Sequence, residues 1–177
     1  MDCDSGWLSG SSQCDWRGVL CYSEDRATQL DLSNNNLSGT LIRDLGELWR
    51  LETLDLQRES IADSFPTQLG RLVRLVTLEI SRNQIRGEFP TYIGRMTSLT
   101  DLQLHNNEFA GEIPSQISEL TVLRRFAGEC NQFVGRIPTQ LASLTNLANM
   151  YLGHNDLVGS IPATFGSLGQ LTLLSLS

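Results

Sequence analysis

The side chains of this 177-residue chain that could do chemistry are two histidines, four cysteines, twenty carboxylates and thirteen arginines, with no lysine. They do not spell a catalytic site: no glycine-rich phosphate loop, His-Glu-x-x-His pair or Gly-x-Ser-x-Gly elbow occurs. What remains is the chemistry of recognition. Arg58, Arg82, Arg124 and Arg125 could clamp carboxylates or acidic sugars. Tyr151, His105 and His154 are rings of the kind that anchor interfaces. Each also has a plainer reading as a solvated surface group. Which of them act together depends on the elements that carry them.

Those elements come from a repeat. Leucine stands at 51, 75, 99, 123, 147 and 171, a period of 24 with no insertion. Three residues on lie Leu30, Leu54, Leu78, Leu102, Phe126, Met150 and Leu174, and two further on Leu32, Leu56, Ile80, Leu104, Gly128, Leu152 and Leu176. An asparagine column follows (Asn35, Asn83, Asn107, Asn131, Asn155), broken by Glu59, and then a glycine column broken by Asp63. All five prolines share one register. The Leu-x-Leu alternation predicts a short strand with one face inward. Stacked strands bury leucines that a single repeat could not. A buried asparagine can bond the turn's backbone in its own coil and the next. The Leu-Gly-x-Leu segments return along the far side as 3₁₀ turns or short helices.

This frame sorts the chemistry into outward columns. One reads Asp31, Asp55, Glu79, Gln103, Ala127, Tyr151. The next reads Ser33, Gln57, Ser81, His105, Glu129, Gly153, and beside it run Asn34, Arg58, Arg82, Asn106, Cys130, His154. Neighbours in a column are about 4.8 Å apart, so the three acids repel and a cation could relieve them; an ordinary wet face is the plainer reading. His105 and His154 fall about two coils apart, too far to share a metal ion. No catalytic residue, cofactor or metal is therefore expected. The binding candidates are Arg58, Glu79, Arg82, Gln103, His105, Arg125, Glu129, Tyr151 and His154. Seven strands make a strip roughly 30 Å long, enough for a peptide or one protein partner.

The net charge is −7 and sits in the first third of the chain. A phosphate-backbone binder needs a basic face, so nucleic acid is not an expected partner. No apolar run approaches the roughly 18 residues that span a bilayer. Met1-Asp2-Cys3-Asp4 is the opposite of a secretory signal's basic, apolar start, which conflicts with an oxidising compartment. Cys14 and Cys21 lie close enough to staple a local turn, or are two small thiols that never pair. Asn36-Leu37-Ser38 is a glycosylation sequon that the repeat's lettering also produces. Thr67, Thr91, Ser115 and Thr139, after the prolines, are read as caps of the following turns.

The pattern Leu-x-x-Leu-x-Leu-x-x-Asn-x-Leu-x-Gly-x-Ile-Pro resembles the plant-type leucine-rich repeat. Cys14-x-Trp16-x-Gly18-Val19-x-Cys21 is similar to the cap that precedes such repeats in receptor-like kinases and polygalacturonase-inhibiting proteins. The resemblance implies an α/β solenoid: a right-handed horseshoe with a parallel β-sheet on its concave face and 3₁₀ or short helices on its convex face. It divides the chain into a cap at 1–26, stapled by Cys14 and Cys21, and repeats at 27–177 cut in the seventh coil. It also implies an extracellular or cell-surface setting and a protein, peptide or glycan ligand on the concave face, as in the ligand-binding part of a receptor-like protein. A secreted inhibitor of an enzyme such as a polygalacturonase is the alternative, and an ice-binding or structural solenoid the third. Departures are Glu59 and Asp63 in coil two, Ile42 for proline in coil one, and Gly128 for an inward aliphatic. Ser177 ends the sequence within a strand pattern and without a polar cap, as a fragment would.

Overall fold

The computed structural model describes residues 18–21 and 27–177. Eight short strands form the concave sheet: β1 (Val19–Cys21), β2 (Ala27–Asp31), β4 (Thr53–Asp55), β6 (Thr77–Glu79), β8 (Asp101–Gln103), β10 (Arg125–Ala127), β12 (Asn149–Tyr151) and β14 (Leu173–Ser175). β1 runs antiparallel to β2, and all the others pair in parallel at the 24-residue offset, so that Leu54 lies between Leu30 and Leu78. The inward column from Leu30 to Met150 and its neighbour from Leu56 to Leu104 form one continuous buried core.

The sequence reading contains only one sheet. The structure has a second, built by the residues after each asparagine: β3 (Ser38–Thr40), β5 (Ser60–Asp63), β7 (Gln84–Glu88), β9 (Glu108–Glu112), β11 (Gln132–Gly135) and β13 (Asp156–Leu157). Its inward Ile61, Ile85, Phe109 and Phe133 are buried. Phe89 packs edge-on against Phe109 at 5.2 Å between ring centroids. Five-residue 3₁₀ turns then close each coil on the convex side, from Arg43–Glu47 to Ala163–Ser167.

The asparagines work as the pattern predicts. Asn83 donates to the carbonyls of Leu56 (2.8 Å) and Ile80 (3.1 Å), while its Oδ1 accepts the N–H of Ile61 (3.1 Å). Asn107 makes the same three bonds one coil on. Glu59 satisfies its turn differently: its two carboxyl oxygens accept the N–H groups of Asn35 and Leu37. Asp63 adopts the left-handed backbone of the glycine column, φ +65°, and its Oδ1 accepts from Arg86 Nη2 at 2.8 Å. Short polar residues reach that region most readily after glycine. Ile42 takes the extended φ of −76° that proline imposes on the other coils. The inward gap at Gly128 is filled: a Cβ there would lie 3.5 Å from the Phe126 ring and 3.3 Å from Leu152.

One expectation fails. Thr67, Thr91, Ser115 and Thr139 do not cap the 3₁₀ turns, none of which has a side-chain cap. The proline before each turn sits at the cap position, and its carbonyl accepts the first turn bond, as Pro66 does from Leu69 (3.1 Å). With the backbone already closing the turn, the hydroxyls have no capping role.

Candidate functional site

The outward residues of the concave sheet fall into two regions. Over β2, β4 and β6 the acid column is in register: Asp31 beside Asp55, and Asp55 beside Glu79. Each acid ties the chain just after its own strand. Asp31 Oδ1 accepts the Ser33 N–H (3.0 Å) and hydroxyl (2.7 Å), Asp55 Oδ1 the Gln57 N–H (2.9 Å), and Glu79 Oε1 the Ser81 N–H (2.9 Å). Burial raises the Asp55 carboxyl pKa, and Asp31 adds to that, against the Gln57 N–H. Burial likewise raises Glu79, with Asp55 adding to it and Ser81 and His105 opposing it. Glu79 is only 6% exposed, so this candidate is a structural group rather than an open contact. A local structural job explains the column without a cation.

The second region spans β8, β10 and β12 and has a different character. Strand register sets Asp101 beside Arg125, and Ala127 between Gln103 and Tyr151. His105 and Glu129 follow on the same face. Burial raises the Asp101 pKa, opposed by the charge of Arg125 and by Gln103, whose Nε2 donates to Asp101 Oδ2 at 3.3 Å. The Arg125 guanidinium lies 5.6 Å from the Tyr151 ring centroid, within cation–π range. Ala127, at the centre, is 0% exposed beneath these longer side chains. Four buried atoms here find no hydrogen-bond partner within the protein: Asp101 Oδ1, His105 Nδ1, Arg125 Nε and Glu129 Oε2. Unpaired buried polar groups cost free energy and are uncommon, so their concentration on one patch is informative.

The candidates therefore separate. Gln103, His105, Arg125, Glu129 and Tyr151 belong to one patch, although Tyr151 and His105 are half-buried rather than the exposed rings expected. Arg58, Arg82 and His154 are exposed beyond the strand ends, each with left-handed φ (+59°, +58° and +54°). Arg58 and Arg82 thus leave the strands at the end opposite Arg125, which opens β10, and form no clamp with it. Cys130 shares their column, with φ +56°, and is a free, half-buried thiol. Asn36 is exposed at φ +59°. Cys21 is disulfide-bonded, and Cys14 lies outside the described residues, as does most of the 1–26 cap.

Sequence reasoning missed Asp101. The signal was available: Gln29, Thr53, Thr77, Asp101, Arg125 and Asn149 form one more outward column at the strand starts. It also missed two open grooves of about 970 Å³ on the flank where the second sheet meets the 3₁₀ turns. Asp63 and Arg86 line one, and Glu88, Glu112 and Arg136 the other.

The leucine-rich-repeat family model matches residues 26–48, 74–96, 98–120 and 146–168, together just over half of the chain. The chain is a leucine-rich-repeat protein. Phytosulfokine receptor 2 of Arabidopsis thaliana is 44% identical over 48 residues, which are 25% of this chain and 5% of that receptor. The Arabidopsis receptor kinase HAESA, solved with the peptide hormone IDA and the co-receptor SERK1, superposes with a TM-score of 0.88 at 28% identity. That match covers 96% of this leucine-rich-repeat chain and 29% of the receptor chain. A plant ice-binding protein superposes with a TM-score of 0.84 at 29% identity, over 91% of this chain and 53% of that one. This leucine-rich-repeat chain thus spans a small part of the curated relatives it matches. No described helix is long and apolar enough to cross a membrane.

Proposed function

We propose that this leucine-rich-repeat segment is the ligand-recognition part of a receptor-like cell-surface protein, and that it seats a peptide on its concave face over β8, β10 and β12. The observation that carries the reading is the outward patch of both charge signs over these strands, where Asp101 lies beside Arg125 and the Arg125 guanidinium lies 5.6 Å from the Tyr151 ring. Stacked strands are rigid, so little ordering entropy is lost when an extended peptide lies across them. The likeness to a receptor solved with a peptide hormone supports the choice of a peptide ligand. Arg125 and Tyr151 are the anchors, Gln103, His105 and Glu129 complete the contact, and Arg58, Arg82 and His154 stand at its rim.

The test is selection of a random dodecapeptide display library on the immobilised 177-residue chain, followed by titration of the enriched peptides. Enriched peptides should bind at least tenfold more weakly to Tyr151→Ala, with a thermal midpoint within about 2 °C of the parent. An empty selection, or peptides that bind the variant equally well, would remove the concave peptide site.

A further inference from the structure

The two flank grooves differ in what their polar groups already do. In the first, Asp63 is spent on Arg86, whose Nη2 donates to its Oδ1 at 2.8 Å. In the second, Glu88, Glu112 and Arg136 line about 970 Å³ of open space and, among the described residues, make no hydrogen bond or ion pair. Their placement depends on the glycine column. A Cβ at Gly111 would stand 3.1 Å from Glu88 Cγ, one at Gly135 2.9 Å from Glu112 Oε1, and one at Gly159 3.4 Å from Arg136 Cγ. Glycine at left-handed φ thus both forms the turn and leaves each of these side chains room against the next coil. The groove also holds hydroxyls that cap no turn. Thr91 and Ser115 bond nothing among the described residues, and Thr139 reaches only Gln140, at 3.4 Å.

What suits such a row is a ligand that donates and accepts, coil after coil. The two carboxylates only accept, the guanidinium only donates, and the hydroxyls do either. A phosphate, sulfate or uronic acid would face Glu88 and Glu112, and a cationic sugar would face Arg136. A neutral sugar hydroxyl can donate to the carboxylates and accept from the guanidinium, and bonds to charged groups are the stronger kind. Spacing selects the type of chain. Glu88, Glu112 and Arg136 recur every 24 residues, one coil apart, or about 4.8 Å. That is close to the advance per ring of an extended β-1,4-linked pyranose chain. An extended peptide advances about 3.3 Å per residue and falls out of step with the coils. Val158, in the next coil, is 61% exposed and offers an apolar contact to the C–H face of a ring.

We propose that this groove is a second binding site, for an uncharged β-1,4-linked oligosaccharide that sets one ring on each coil from Glu88 to Arg136. Its hydroxyls donate to Glu88 and Glu112 and accept from Arg136. The site lies off the concave face and is independent of the peptide reading above.

Titration of cellotetraose into the isotope-labelled 177-residue chain, followed by amide chemical shifts, tests it. The Gly111 and Gly135 N–H signals should shift and saturate, with a Kd on the order of 1 mM or tighter. Glu112→Ala and Glu88→Ala should each weaken binding roughly tenfold, as loss of a hydrogen bond to a charged group does. Both acids are exposed, so the variants should keep the parent's thermal midpoint. Asp63→Ala, in the other groove, should leave the affinity unchanged. Tetragalacturonate, which adds negative charge, and maltotetraose, whose α-linked chain coils, should bind at least tenfold more weakly. No saturable shift from cellotetraose, equal binding of either control sugar, or affinity indifferent to both acids overturns this site. None of those results touches the concave peptide site, which the peptide selection tests separately.

Discussion

The two halves of the concave sheet share a backbone and differ in what their outward side chains do. Over β2 to β6 the polar groups are spent at home: Asp31, Asp55 and Glu79 each hold an N–H two residues further along. Over β8 to β12 the polar groups have both signs, and four of their buried atoms are left unpaired. Register is the same in both halves, since every neighbouring pair is offset by 24 residues. A repeat frame thus carries unrelated surfaces at no cost to itself, and recognition is written at positions the frame does not use. The difference also separates two settings of a carboxylate: in one half it ties a turn, in the other it lies beside an arginine of the next strand.

The largest expected effect tests the shared frame beneath the β8–β12 patch. Asn107→Ala strands the Ile85 N–H and two carbonyls, a loss on the order of 3 kcal/mol. The thermal midpoint should then fall by roughly 6–12 °C. A midpoint unchanged in calorimetry would show that the asparagine ladder is not what joins the coils.

Binding comes next. Arg125→Ala should lower the affinity of selected peptides by roughly tenfold to a hundredfold, as loss of a central arginine anchor does, whereas Arg58→Ala should change it less than twofold. Equal losses in both variants, read by isothermal titration, would erase the distinction between the halves and move the site to the strand ends.

Smaller still is the electrostatic contrast. Because burial and Asp55 raise the folded Glu79 pKa, the folded state holds that proton more tightly than the unfolded chain does. Acidification through this range therefore stabilises the fold, and the benefit is lost as pH rises through the folded value. Glu79→Gln should raise the midpoint by roughly 1–4 °C at pH 7 and by nothing at about pH 3. Asp101→Asn, which also gives up the attraction of Arg125, should gain less. A larger gain for Asp101 would reverse the assignment of the two regions.

The smallest effect concerns the rim. Arg82 holds φ +58°, a conformation that disfavours residues with a Cβ. Arg82→Gly relieves that strain but adds freedom to the unfolded chain, leaving a gain of about 1–2 °C. A drop in the midpoint would mean that the Arg82 side chain supports the fold.

Much of this was legible in the letters, and unevenly so. The inward columns, the asparagine ladder and the filling of Gly128 by Phe126 follow from period and residue type, because burial within a stacked coil is a nearest-neighbour matter. The acid column and the outward positions of Gln103, His105, Glu129 and Tyr151 also follow from period, whereas Arg125 belongs to the strand-start column that was missed. The second sheet was not legible. Segments such as Ser38–Thr40 and Glu108–Glu112 carry glycines and polar residues that read as turn, and only pairing with the next coil makes them strands. Nor did spacing reveal that Arg58 and Arg82 leave the strands with left-handed φ, or that proline carbonyls leave the threonine hydroxyls with nothing to cap.

The sequence by itself determined which residues face in, which face out and how often, since a 24-residue period and the two-residue alternation of a strand leave little choice. Tertiary structure alone decided which outward groups were already satisfied. A hydrogen bond depends on where the folded chain puts its N–H groups and carbonyls, in the same coil or the next, to within a few tenths of an ångström. Asp55 and Asp101 are the same letter on the same sheet. The first binds its own turn, and the second keeps a buried oxygen unpaired beside Arg125.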